Sequence, residues 1–137
     1  YTMRRMLELS VLRHTKTVPA EALAAMRRAV QSAAEAIAEK DWDACTSATV
    51  EFHSALVSMS GSERATDTMK RLMAELRLTL SMLHEHLEVR TPLLEQRRQL
   101  TELLADGKME EAEKVLSDYL DSGERAMLAL HDQLNSA

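Results

Sequence analysis

Apolar residues recur at steps of three and four along almost all of this chain, which confines it to α-helix. Leu23, Met26, Val30, Ala34 and Ile37 draw one face. Cys45, Ala48, Phe52, Leu56 and Met59 draw another. Further stripes are Met69, Leu72, Met73, Leu76, Leu80, Leu83 and Leu87, then Leu93, Leu100, Leu103 and Leu104. The last is Ala112, Val115, Leu116, Leu120, Ala126 and Leu130, and a shorter one opens the chain at Met3, Met6, Leu7 and Val11. Aromatics make up only 3%, so little favours strands over helices.

The few breaks fix the helix number. His14 to Pro19 interrupts a first helix over 1–14, and a second is predicted from Pro19 to Glu39. Asp41 is a plausible N-cap for a third, ending near Met59. Gly61 suits the left-handed end of that helix, and Ser60 with Glu63 has capping-box spacing for the next. Helix four is predicted as one long element to about His86. Thr91 as N-cap and Pro92 at the first helical position predict the start of helix five. Asp106-Gly107 closes it, and helix six follows from Met109 to about Gln133. Long amphipathic helices on short connections predict an all-α antiparallel bundle of six to seven helices, one domain over residues 1–137.

Composition narrows the partners. A net charge of -5 argues against nucleic-acid binding by this surface. The single cysteine, Cys45, excludes an internal disulfide and fits a cytoplasmic protein. No apolar run reaches membrane-spanning length, and no signal peptide is expected. The chain enters a helical pattern at Tyr1, which predicts a piece of a longer protein.

Four polar residues then stand out, because they fall where the stripes call for Leu or Ala. Thr49 and His53 share a side of helix three, Arg97 fills a gap between Leu93, Leu100 and Leu104, and Tyr119 sits among the apolar positions of helix six. Singly, a histidine can be a satisfied core residue, a tyrosine can pack with its hydroxyl in water, and an arginine can snorkel. Together, on three helices, they predict a polar cavity inside the bundle. Arg77 shares a face with Met73, Leu80 and His84 and is a further candidate. His84, His86 and His14 read as helix-end residues favoured by the dipole; His131 is ambiguous, and Cys45 reads as packing. Enzyme signatures are lacking: no Glu-x-x-His repeat, zinc-protease helix, phosphate loop or nucleophile elbow occurs.

The order of features resembles a known family. Tyr1-x-x-Arg4-x-x-Leu7-Glu8, Pro19-Ala-Glu-Ala-Leu23, Phe52-His53-x-x-Leu56, and Leu100-x-x-Leu103-Leu104-x-x-Gly107 followed by Glu111-Ala112 resemble the FCD ligand-binding domain of GntR-family regulators, FadR subfamily. The resemblance implies a six- or seven-helix bundle and an N-terminal winged helix-turn-helix, absent from this chain, that binds operator DNA as a dimer. Many members hold a metal with one Asp and three His. Those positions here are Thr49, His53, Arg97 and Tyr119, so only His53 is retained.

The expected function is therefore an effector-binding and dimerisation domain of a bacterial transcription regulator, forming a homodimer. It would sense a small organic anion, a carboxylate or acyl-type molecule, through Thr49, His53, Arg97 and Tyr119, with Arg77 and Arg4 as further candidates. No metal or other cofactor is expected. An alternative is that Arg97 pairs with an internal acid such as Glu51 or Asp118, leaving a structural dimerisation module with a shut cavity. A second alternative is an enzyme using His53 as base, for which no partner nucleophile is visible.

Overall fold

The computed structural model describes residues 1–136, apart from the side chains of Leu87 and Glu88. The helices are α1 (Thr2–His14), α2 (Ala20–Glu39), α3 (Trp42–Ser58), α4 (Glu63–Glu75), α5 (Arg77–His84), α6 (Leu87–Ala105) and α7 (Met109–Asn135). They form an all-α bundle around α3, which packs against α1, α2, α4 and α5. Its sequence explains that place: Cys45, Ala48, Phe52, Ala55, Leu56 and Val57 are all buried, more than one stripe can hold. Beside it, α2 buries Ala22, Ala29, Ala33 and Ala36, small side chains that let the two helices lie close. The other walls of the core are α6 and α7, which pack on each other, with Leu100, Leu104, Leu116 and Leu120 at most 1% exposed. Burying one such leucine contributes about 1.5–3 kcal/mol.

Capping agrees with the expectation at Asp41, whose Oδ1 accepts from the Ala44 amide at 3.0 Å. Gly61 has φ 74°, left-handed as its break requires. The cap of α4 is Ser62, two residues later than expected. Ser62 Oγ accepts from the Ala65 amide at 3.1 Å, while Ser60 Oγ accepts from the Ser62 amide.

Two boundaries differ from the sequence reading. The long fourth helix is broken: α4 ends in a tightened turn, the Leu76 amide bonding Met73 O at 3.1 Å, and α5 restarts at Arg77. No Gly or Pro marks the break, and the apolar spacing runs through it. Helix α6 starts at Leu87, so Thr91 is not its cap and Pro92 lies inside its second turn. Pro92 is exposed there, and water can serve the carbonyl left without an N–H partner. The side chain of Leu87, expected on the stripe of helix four, lies outside the described residues.

The inward face of α1 is also unlike the one read from sequence. Arg4, Glu8, Val11 and Leu12 are buried, whereas Met3 and Met6 are exposed by 61% and 67%. The first two turns of α1 thus turn charged groups inward and apolar ones outward.

The cap assignment has a direct check. Ser62→Ala should destabilise the domain by about 1 kcal/mol, and Ser60→Ala by clearly less, in urea unfolding. A larger loss for Ser60→Ala would return the cap to Ser60.

Candidate functional site

Charges turned inward on α1 need partners, and α3 supplies the first. Arg4 and Glu8 lie one turn apart, with Arg4 Nε donating to Glu8 Oε2 at 3.0 Å. His53 Nδ1, on α3, donates to Glu8 Oε1. With its proton so placed, His53 Nε2 is left as the acceptor. It faces Arg4 Nη2 at 2.9 Å and the Tyr119 hydroxyl of α7 at 3.0 Å. Glu8 and His53 have no exposure at all and Arg4 only 3%. Burial opposes the charge of Glu8, but His53 and Arg4 more than offset it and hold the carboxyl below the ordinary range. Burial pushes His53 down to about 4, against the pull of Glu8, so the ring is neutral near pH 7.

A second group sits beside the first. Arg97 of α6 is 2% exposed and donates through Nη1 to Thr49 Oγ1, which itself donates to Cys45 O at 3.0 Å. Thr46 Oγ1 gives its one proton to Trp42 O at 3.0 Å and so accepts from His84 Nδ1 at 2.9 Å and from Ser81 Oγ at 2.9 Å. That leaves His84 Nε2 as a free acceptor, 3.5 Å from Thr49 Oγ1. Burial, and then the charge of Arg97, push His84 down to about 4. Among the described residues no carboxylate pairs with Arg97, and its Nε has no hydrogen-bond partner. Glu51 and Asp118, the internal acids considered for it, are both exposed.

Between the two groups lies a cavity of about 20 Å³, room for one water-sized group. Its polar wall is Arg4, Thr49, His84, Arg97 and Tyr119, and its apolar wall includes Leu80, Leu83, Leu93 and Met127. Tyr1 lies along the outer side and donates from its hydroxyl to Leu120 O at 2.8 Å. Gly123 makes this possible in mid-helix, since a Cβ there would stand 2.9 Å from that hydroxyl.

The structure thus brings Thr49, Arg97, Tyr119 and Arg4 to one cavity. His53 stands behind Arg4 and Tyr119 rather than in the wall. Arg77 is elsewhere: on the half-exposed outer side of α5 it donates to Asp43 Oδ1 at 3.0 Å and Ser47 Oγ at 2.6 Å. Sequence reasoning missed Glu8 and His84. Glu8 had a signal, its spacing of four from Arg4, which puts the two on one face of α1. His84 had one too, its spacing of four from Leu80, but a helix-end reading took precedence.

Comparison with known proteins adds a family. The FCD domain model matches residues 1–122. The crystal structure of a protein described as a candidate GntR transcriptional regulator from Rhodococcus sp. RHA1 is similar, with a TM-score of 0.79 and 28% identity. The match covers 92% of this chain and 60% of that one, so the present chain spans less than two thirds of that relative. Among curated proteins, none matches significantly. None of the described helices is long and apolar enough to cross a membrane.

The two neutral histidines predict a pH dependence. Their folded values, about 4, lie below the unfolded value of about 6.5. The unfolded chain therefore binds more protons between these limits, and stability falls as pH drops through that window. Urea midpoints should be highest above about pH 6.5 and fall steadily toward pH 4. His84→Asn should flatten the slope, and an unchanged slope would contradict a buried neutral His84.

Proposed function

The chain belongs to the FCD domain family, and on that footing we propose that it is the effector-binding and dimerisation part of a bacterial GntR-type transcription regulator. Its effector is a small organic anion of carboxylate or acyl type, held in the cavity between α1, α3, α5, α6 and α7. The observation that carries this reading is Arg97, a buried guanidinium without an acidic partner among the described residues. A charge in that position is strongly disfavoured unless an anion reaches it, and the planar fork suits a carboxylate. Thr49, Tyr119 and the free acceptor of His84 complete a wall that can also bind a hydroxyl-bearing ligand. Anything larger than water needs the outer wall to move, and the flexible Met127 and the half-buried Tyr1 form that wall.

The residues present do not fit the divalent metal that many relatives hold. The lone pair of His53 Nε2 is covered by Arg4 and Tyr119, and two guanidinium groups occupy the space a cation would need. Among the described residues, no group of three or more His, Cys, Asp or Glu side chains could hold one. The same coverage of both ring nitrogens argues against His53 as a catalytic base. Arg4, held by Glu8, places α1 in the wall, so effector binding there would shift how α1 sits on the bundle. That is a route to a DNA-binding domain preceding it, by population shift.

One observation favours the rival reading, a structural dimerisation module: the cavity is only about 20 Å³. Both readings require a homodimer, and the exposed Met3 and Met6 of α1 leave apolar surface for a second copy.

Three outcomes are expected. A calorimetric screen of small organic acids should find a ligand for the wild type that Arg97→Ala binds at least about tenfold more weakly. Equal binding by both proteins would remove Arg97 from its role, and no ligand for either would leave the structural module. Elemental analysis of protein purified without chelator should show no stoichiometric metal; metal bound through His53 would overturn the metal-free site. Sedimentation should show a dimer at tens of micromolar, with no gel shift of duplex DNA by this chain alone, given its charge of -5.

A further inference from the structure

The cavity wall and the buried cluster behind it together hold more cations than anions, and the difference is one. Helix α1 brings Arg4 and Glu8, α6 brings Arg97, and α3 and α5 bring the imidazoles of His53 and His84. The phenols of Tyr1 and Tyr119 complete the set. Other charged groups nearby do not line the cavity. Arg5 pairs with Asp121 and Glu124, and Arg77 pairs with Asp43. Arg90 lies outside the cavity lining, stacked over Trp42 and donating from Nη1 to His84 O and Glu85 O, with its Nε buried and unpartnered among the described residues. Both imidazoles are neutral near pH 7, and Glu8 is ionised. Two guanidinium groups and one carboxylate leave a single positive charge. It resides on Arg97, because Arg4 is already engaged with Glu8 at 3.0 Å.

We propose that Glu8 is a built-in anion that sets the valence of the effector at one, making the site selective for monocarboxylates over dicarboxylates. This rests on the reading of the cavity as an anion site and names its specificity residue. A monocarboxylate on Arg97 brings the buried cluster to neutrality. A dicarboxylate needs a second cation, and the one within reach, Arg4, has Glu8 on its other side. The second carboxylate then lies one guanidinium away from a like charge in a medium that screens poorly. Glu8 touches no ligand; it acts through Arg4.

Charge counting gives a set of variants with different expected behaviour. The probes are formate, acetate and propionate against oxalate, malonate and succinate, titrated calorimetrically at pH 7.5 and constant ionic strength. Wild type should prefer the monocarboxylates by about tenfold or more. Glu8→Gln, which frees Arg4 and leaves two positive charges, should reverse the order. Arg4→Met, which leaves none, should bind both series weakly. The double variant Arg4→Met/Glu8→Gln restores one charge and should recover the wild-type order. Because it removes both partners of the buried pair, it also serves if Glu8→Gln alone does not fold. A wild-type ranking retained in Glu8→Gln, or acids bound by Arg4→Met as tightly as by wild type, overturns the role of Glu8 while leaving the anion site intact. Failure of wild type to bind any acid overturns the anion site itself, and this inference with it.

Discussion

A carboxylate with no exposure to water stays ionised only if cations and hydrogen bonds replace its hydration, and Glu8 is such a carboxylate. Its partners come from its own helix, Arg4, and from the central helix, His53. Through them Tyr119 of α7 is drawn in. The cluster joins α1, α3 and α7 at the level of the cavity, and taking away one member of such a pair costs about 3–5 kcal/mol. Everything distinctive about the site follows from this arrangement. Because Glu8 satisfies Arg4, Arg97 is the arginine of the cavity wall without an acidic partner among the described residues. Because it orients His53, it turns that ring's lone pair toward Arg4 rather than toward a metal.

The rest of the bundle holds this polar centre in place with ordinary packing. Phe52 and Leu56 on α3, Leu116 and Leu120 on α7, and Leu100 and Leu104 on α6 surround it. Beyond the break at Leu76, α5 supplies Leu80, Leu83 and His84 to the cavity wall. Their spacing of three and four puts all three on one face of α5. The glycine at 123 lets Tyr1 lie across the cavity's outer side, so the first residue of α1's approach is part of the same wall.

Most of the fold was legible in the sequence, because stripes of apolar residues and short breaks report directly on helices and their ends. Where it was not, the reason is local. At Leu76 nothing in the pattern interrupts the apolar spacing, and at Pro92 a residue that usually starts a helix sits within one. That Thr49, Arg97 and Tyr119 face the interior was legible because each is polar on an otherwise apolar stripe, and all three line the cavity. Glu8 was not, since α1 buries its charged face and shows its methionines, the inverse of the rule that places charge outside. Arg77 was misplaced for a related reason: shared spacing with Leu80 and His84 put it near the interior, but its long side chain reaches Asp43 and Ser47 at the surface.

Arg97 is a buried cation with no carboxylate partner among the described residues. The direct measurement is the unfolding free energy of Arg97→Met against wild type in buffer free of small organic acids. If Arg97 is unpaired, replacing its charge with an apolar side chain of similar length relieves desolvation, and the variant should match or exceed the wild type in stability. A loss of about 3–5 kcal/mol would show that Arg97 belongs to an internal ion pair, and would contradict the account.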